Sequence, residues 1–192
     1  MESTKDRIMN TTAELFRRYG YTGTGMKQIV EEASAPFGSI YHFFPGGKEQ
    51  LGREVITRSG RMYQELIEAI LDAAPDIVTG VDNTFSGAAE VLRQSGYADA
   101  CPIATVALEV ASASEPLREA TADVFDSWIA AGTIRFVAAG LSQSKAREIA
   151  ILLIASLEGA FILCRATRTT EAMEIAREAT LEALRSALAA KG

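Results

Sequence analysis

Apolar residues recur at helical spacing along almost the whole chain, and no run of residues alternates in the manner of a strand. An all-α fold follows, and the breakers set its joints. The spacing predicts a first helix from about Thr4 to Tyr19. It directs Ile8, Thr12, Leu15, Phe16 and Tyr19 inward and Lys5, Arg7, Glu14, Arg17 and Arg18 mostly outward. Gly20 ends it, being tolerant of a left-handed cap. A short second helix starts after Thr24, whose hydroxyl is placed to cap it, and carries Ile29, Val30 and Ala33 inward. Ser34 and Ala35 form a turn, Pro36 suits the first turn of a third helix over Phe37 to about Phe44, and Pro45-Gly46-Gly47 stops it. Two short helices joined by a tight turn and braced by a longer one make a helix-turn-helix unit.

Beyond Gly47 the texture changes. A long helix is expected from about Lys48 to Ala73, ended by Pro75. Others follow over Asp76–Ser95, Ile103–Ala113, Glu115–Ala139, Ser144–Ala166 and Thr170–Ala190, about nine helices in all. The chain therefore divides into a head, residues 1–47, and a helical bundle, residues 48–192. With 48% apolar and 23% charged residues in a 192-residue chain, there is enough apolar side chain to bury a core and too much for a disordered polymer. Two cysteines, Cys101 and Cys164, and a single histidine cannot supply an ordinary four-ligand zinc site, and no metal or other cofactor is expected. The most apolar window, Ile149 to Cys164, is interrupted by Glu158 and is shorter than the roughly 20 residues of a membrane span, so it reads as a buried helix. No secretory signal opens the sequence, and a cytoplasmic chain with no membrane partner is expected.

The net charge of −6 argues at first against any polyanionic partner. Its distribution does not. Residues 1–50 carry six basic and six acidic side chains, whereas the remainder carries 13 basic and 19 acidic. All the excess acid lies in the bundle, and a neutral head can still meet phosphate through cations grouped on one side, because charge is screened beyond about 8–10 Å.

The run Gly20-Tyr21-Thr22-Gly23-Thr24-Gly25-Met26-Lys27-Gln28-Ile29, followed by Gly38-Ser39-Ile40-Tyr41-His42-Phe43-Phe44-Pro45, resembles the DNA-binding head of TetR-family transcriptional regulators. Pro45-Gly46-Gly47-Lys48-Glu49-Gln50-Leu51, with Cys101-Pro102-Ile103-Ala104, resembles the LmrA/YxaF-like branch of that family. In such a motif the third helix enters the major groove. Gly38 would let the backbone come close, Ser39 can reach a base edge or phosphate, and Tyr41 and His42 offer polar tips to phosphate. Thr24, Gly25 and Lys27 open the second helix beside the DNA backbone, Pro36 and Phe37 open the third, and Lys48 could clamp a phosphate from the fourth. Tyr41 is also readable as a packed aromatic, and His42 as a surface residue without a contact. The pattern departs from the family at two places. Phe37 stands where lysine or arginine is common, removing a phosphate or base contact but leaving an apolar one to a thymine methyl. Ser34 stands where glycine is usual, and needs a backbone angle that admits a side chain.

The resemblance implies that the bundle binds a small molecule and supplies a dimer interface. The residues agree on the second point. Ile149–Cys164 is apolar nearly all round, and Ala155, Gly159 and Ile162 with Ile175, Ala179 and Leu184 of the last helix form a candidate homodimer surface. For an effector pocket the candidates are Tyr63, Phe85, Phe125, Trp128 and Phe161 as walls, with Arg93, Glu109 and Glu158 as polar anchors. Most of the aromatics read equally well as core, and Glu158 as the partner of Arg165. No glycine-rich phosphate loop or nucleophile–histidine pair is present, so no catalytic residue is assigned. The expectation is a ligand-responsive regulator, most simply a repressor, binding a palindromic operator as a homodimer. The alternative is a helical small-molecule-binding protein without DNA-binding function.

Overall fold

The computed structural model of the chain describes residues 2–190, in which nine α-helices and no strand are found. They are α1 (Thr4–Tyr19), α2 (Met26–Glu32), α3 (Phe37–Phe43), α4 (Gly47–Ala73), α5 (Ile77–Gln94), α6 (Pro102–Val110), α7 (Glu115–Ala138), α8 (Gln143–Thr167) and α9 (Glu171–Ala189). Side chains hold many of the ends. Ser3 accepts from the Asp6 amide at 3.1 Å to cap α1, Asp76 caps α5 through the Thr79 amide at 2.9 Å, and Ser142 caps α8. The expected cap of α2 is corrected: Gly25 occupies that position without a side-chain bond, and Thr24 is fully buried, its hydroxyl donating to the Gly20 carbonyl at 2.7 Å. Pro36 likewise sits one residue before α3 rather than inside its first turn.

The chain forms two compact units, and they do not coincide with a division at residue 47. The first comprises residues 1–62 and 101–124, the second residues 63–100 and 125–192, so that α6 and the start of α7 belong with the N-terminal helices. In the first unit α1 packs on α2, α3 and α6. Ile8, Leu15, Phe16, Ile29, Ile40, Phe44, Leu51, Ile103, Val106 and Leu117 are fully buried or nearly so. Tyr19, expected on the inner face of α1, is instead 56% exposed. The buried stripe ends a turn earlier at Phe16, whose ring takes an edge contact at 5.5 Å from Tyr21 across the cap.

The second unit is built on α9, which packs on α8 and α5. Phe85, Leu92, Phe136, Leu153, Cys164, Met173, Leu181 and Leu184 belong to one apolar cluster. Ion pairs stitch its outside: Arg177 to Asp82 at 2.7 Å, Arg93 to Glu174 at 3.4 Å and Arg135 to Asp72 at 2.8 Å. By length and composition alone α8 could cross a bilayer. Ala146, Ile149, Ala150, Leu153, Ala160 and Cys164 nevertheless lie on its buried side, while Ile151, Leu152, Ile162 and Leu163 are exposed.

Candidate nucleic-acid interface

The α2–α3 turn is shaped by one residue in an unfavourable conformation and by an arginine reaching across from α1. Ser34 takes φ 49°, the left-handed region that the sequence pattern anticipates by calling for glycine. The Ala35 amide closes the turn on the Val30 carbonyl at 2.9 Å, and the Ser34 amide on Glu31 at 3.1 Å. Arg7 donates from Nε to the Ala33 carbonyl at 3.2 Å, satisfying an acceptor at the end of α2. Arg7 was expected to face solvent; nothing in its local spacing marks it as the brace of a turn 26 residues away.

With Ile29, Val30, Ala33, Ile40 and Phe44 buried, the other side of α3 faces outward. It presents Pro36, Phe37 (54% exposed), Gly38, Tyr41 (49% exposed) and His42, with Ser39 half-buried. Phe37 and Tyr41, one turn apart, meet edge to face with centroids 5.8 Å apart. A Cβ on Gly38 would meet nothing of the protein within 4 Å, leaving room there for an approaching backbone. Gly25 is exposed, and Lys27 extends into solvent 3.6 Å from Glu31. Thr24 is the exception among the expected contact residues, because burial withdraws its side chain from any partner.

A second cluster sits at the end of α1. Gly20 adopts φ 73° and ψ −179°, a conformation essentially reserved for glycine. Its missing side chain leaves space for the Glu109 carboxylate of α6, which a Cβ at position 20 would overlap at 1.6 Å. Glu109 accepts from the Thr22 amide at 2.6 Å. Lys48 lies over the Tyr21 ring, 4.3 Å from its centroid. Its burial lowers the lysine pKa, opposed by the nearby Glu109 charge. A further tie joins the same elements: Ser114, after α6, donates to Glu49 at 2.9 Å. Glu109, expected as a pocket anchor, thus bonds to the loop that leads into the helix-turn-helix. The two residues it joins lie 87 positions apart in the chain.

Known proteins match both parts of the chain that carries this braced two-helix turn. Residues 8–55 match the family described as bacterial regulatory proteins, tetR family. Residues 78–179 match the C-terminal domain of LmrA/YxaF-like transcriptional regulators. The chain belongs to the TetR family. It is 34% identical over 159 residues to the helix-turn-helix-type transcriptional regulator YxaF of Bacillus subtilis, covering 83% of each chain. To the regulator LmrA of the same organism it is 31% identical over 159 residues, covering 83% of this chain and 85% of LmrA. In fold it matches the reduced form of NemR from Escherichia coli with a TM-score of 0.80, over 93% of this chain and 95% of that one, at 21% identity. As a TetR-family member it is a transcriptional regulator with a helix-turn-helix DNA-binding domain, and its family and relatives are regulators rather than enzymes.

The other residues singled out by sequence fall into separate places in this TetR-family chain. Phe85 is fully buried, and Phe161 packs against the same core cluster. Phe125 and Trp128 form an edge-to-face pair at 5.6 Å, and Tyr63 and Glu158 are half-buried. Arg93 is engaged at the surface by Thr170, at 2.9 Å, and by Glu174. Of the expected anchors, Glu109 belongs to the first unit, while Arg93 and Glu158 belong to the second, Arg93 being tied to the start of α9. Of the candidate dimer residues, Ala155, Ile162, Ile175 and Ala179 are exposed and Gly159 is half-buried. Leu184 is corrected, since it is fully buried in the core of the second unit and has no surface to offer a partner. Among the described residues no group of three or more His, Cys, Asp or Glu side chains is placed to hold a metal. Both cysteines are buried and no disulfide links them.

Proposed function

We propose that this regulator is a repressor that binds a palindromic operator as a homodimer and is released by a small, mostly apolar effector held in its C-terminal bundle. The observation that carries the reading is the outward face of α3, where Phe37, Gly38, Tyr41 and His42 are exposed on a helix whose inner face is fixed by buried Ile40 and Phe44. An element this short, docked by one face and bare on the other, suits insertion into the major groove. Lys27 and the Tyr41 and His42 tips are the phosphate and base contacts we assign, and Lys48 adds a cation at the start of α4. NemR, which this chain matches over 118 residues at 26% identity, is a transcriptional repressor.

Dimerisation is supported by the apolar residues that α8 and α9 leave in solvent, among them Ile162 at 53% and Ile175 at 63% exposure, beside the small residues Ala155, Gly159 and Ala179. A two-fold assembly would read half-sites one helical turn, about 34–36 Å, or a multiple apart. Effector and operator then oppose each other reciprocally, with a coupling of about 1–3 kcal/mol. The site of action is the cytoplasm, where such regulators meet the chromosome. Fluorescence anisotropy with DNA fragments flanking the gene tests the reading. A saturable, sequence-dependent and salt-dependent complex of two chains per palindrome is expected. Binding without sequence preference, or a protein that stays monomeric by sedimentation at micromolar concentration, would overturn it. Native mass spectrometry of the purified protein identifies a retained effector.

A further inference from the structure

The third helix has His42 as its one basic side chain and carries none of the permanently charged anchors. From Phe37 to Phe43 it contains no lysine, arginine, aspartate or glutamate. The commonest specific contacts to guanine come from arginine or lysine, and those to cytosine from a carboxylate, so α3 lacks the side chains that read a G·C pair in the usual way. Nor does α2 compensate, for its one cation, Lys27, stands beside Glu31, with Glu32 following. At the position where a DNA-reading helix first meets base edges stands Phe37, with more than half its surface in water. Its ring is held by Tyr41 one turn on, so the two aromatics form a single apolar edge.

We propose that Phe37, steadied by Tyr41, is a specificity-determining residue that selects the 5-methyl group of thymine in the major groove of each half-site. The thymine methyl is the largest apolar group that the base pairs present in that groove, and it is the group there that a phenyl ring pairs with best. This rests on α3 entering the major groove, as proposed above, and adds what it reads. Because the contact releases no counterion, this position adds affinity without adding to the salt dependence of binding.

The test uses the full-length protein. Sites are first selected from a randomised duplex library, and each thymine of the winning site is then replaced singly by deoxyuridine, which removes only the methyl. One or two thymines in each half-site are expected to bind about fourfold more weakly as deoxyuridine, the effect of withdrawing one buried methyl. Phe37→Ala, at an exposed position and checked for an unchanged thermal transition, abolishes that difference, whereas Tyr41→Phe retains it. Phe37→Arg moves the selected base at this position to guanine and steepens the salt dependence. Indifference to deoxyuridine at every position, or an equal penalty in Phe37→Ala and the parent, overturns the proposal while leaving DNA binding intact. A selection that enriches no site overturns this proposal and the operator reading together.

Discussion

The two units are fastened by different means. In the first, beside side-chain pairs such as Lys5–Glu54, Arg58–Asp6 and Ser114–Glu49, polar side chains also reach the backbone of the reading head: Arg7 the Ala33 carbonyl and Glu109 the Thr22 amide. In the second, the bonds between elements run mainly from side chain to side chain, as in Arg177–Asp82, Arg93–Glu174 and Arg135–Asp72, over a large apolar cluster. Arg168, donating to the Gly96 carbonyl, is the exception there. A bond to backbone fixes where a loop lies, whereas a surface ion pair between flexible side chains fixes little. Both units rest on an apolar core, and the first adds bonds that fix the backbone of its reading turn and of the loop leading into it.

That contrast can be broken from either side. The largest effect is expected in the second unit's core: Phe85→Ala should cost about 3–5 kcal/mol in urea unfolding, because it leaves a cavity beneath α5. A cost below about 1 kcal/mol would mean that packing does not hold this unit. Next comes Glu109→Gln, which weakens the acceptor at Thr22 and removes the charge facing Lys48. We expect a loss of about 1 kcal/mol in stability. Anisotropy should show a weaker operator complex, with sedimentation unchanged; unaltered DNA binding would sever the link between α6 and the reading head. Ser34→Gly should run the other way, raising stability by roughly 0.5–1 kcal/mol by relieving the left-handed turn, and a destabilised variant would contradict the strain.

Smaller effects sharpen the picture of the second unit. A double-mutant cycle on Arg177 and Asp82 should return about 0.5 kcal/mol, shrinking in salt. A coupling several times larger would make the ion pairs structural rather than ornamental. Last is a pH effect at the cap of α5. Hydrogen bonds from Thr79 hold the Asp76 carboxyl below its ordinary value of 3.8. A lowered folded pKa means that the contribution is present above that ordinary value and is lost as pH falls through the folded one. Asp76→Ser keeps a cap but does not titrate, so its stability should fall less steeply than the parent's in that acid window. Parallel acid curves would remove Asp76 from the account.

Much of this was legible along the chain, because helix ends are written locally. Gly20, Pro45-Gly46-Gly47 and Pro75 mark breaks that the sequence pattern locates, and α1 ends at Tyr19 as its spacing predicts. The misreadings share one cause. Thr24 looks like a cap from its neighbours, yet its hydroxyl turns back to Gly20 and leaves the cap position to Gly25. Leu184 looks like interface by periodicity, but the α8–α9–α5 packing claims it as core. Arg7 and Glu109 act on backbone groups 26 and 87 residues away, and only the folded arrangement brings those partners together. Phe37 was legible as a departure from pattern; its pairing with Tyr41 and its exposure came from the fold.

The nested fit of the Glu109 carboxylate into the space beside Gly20 has a consequence for how such a chain can change over generations. Position 109 is free to lose its carboxylate while glycine remains at 20, since an emptied space does no violence to the backbone. Position 20 has no such freedom, because a side chain there meets both a forbidden torsion and an occupied volume. The torsion is the firmer of the two obstacles, since the Glu109 carboxylate is the far end of a flexible side chain and can swing aside. A lineage that abandons this glycine must therefore rebuild the backbone of the turn, and in doing so gives up the seat from which Glu109 reaches the Thr22 amide.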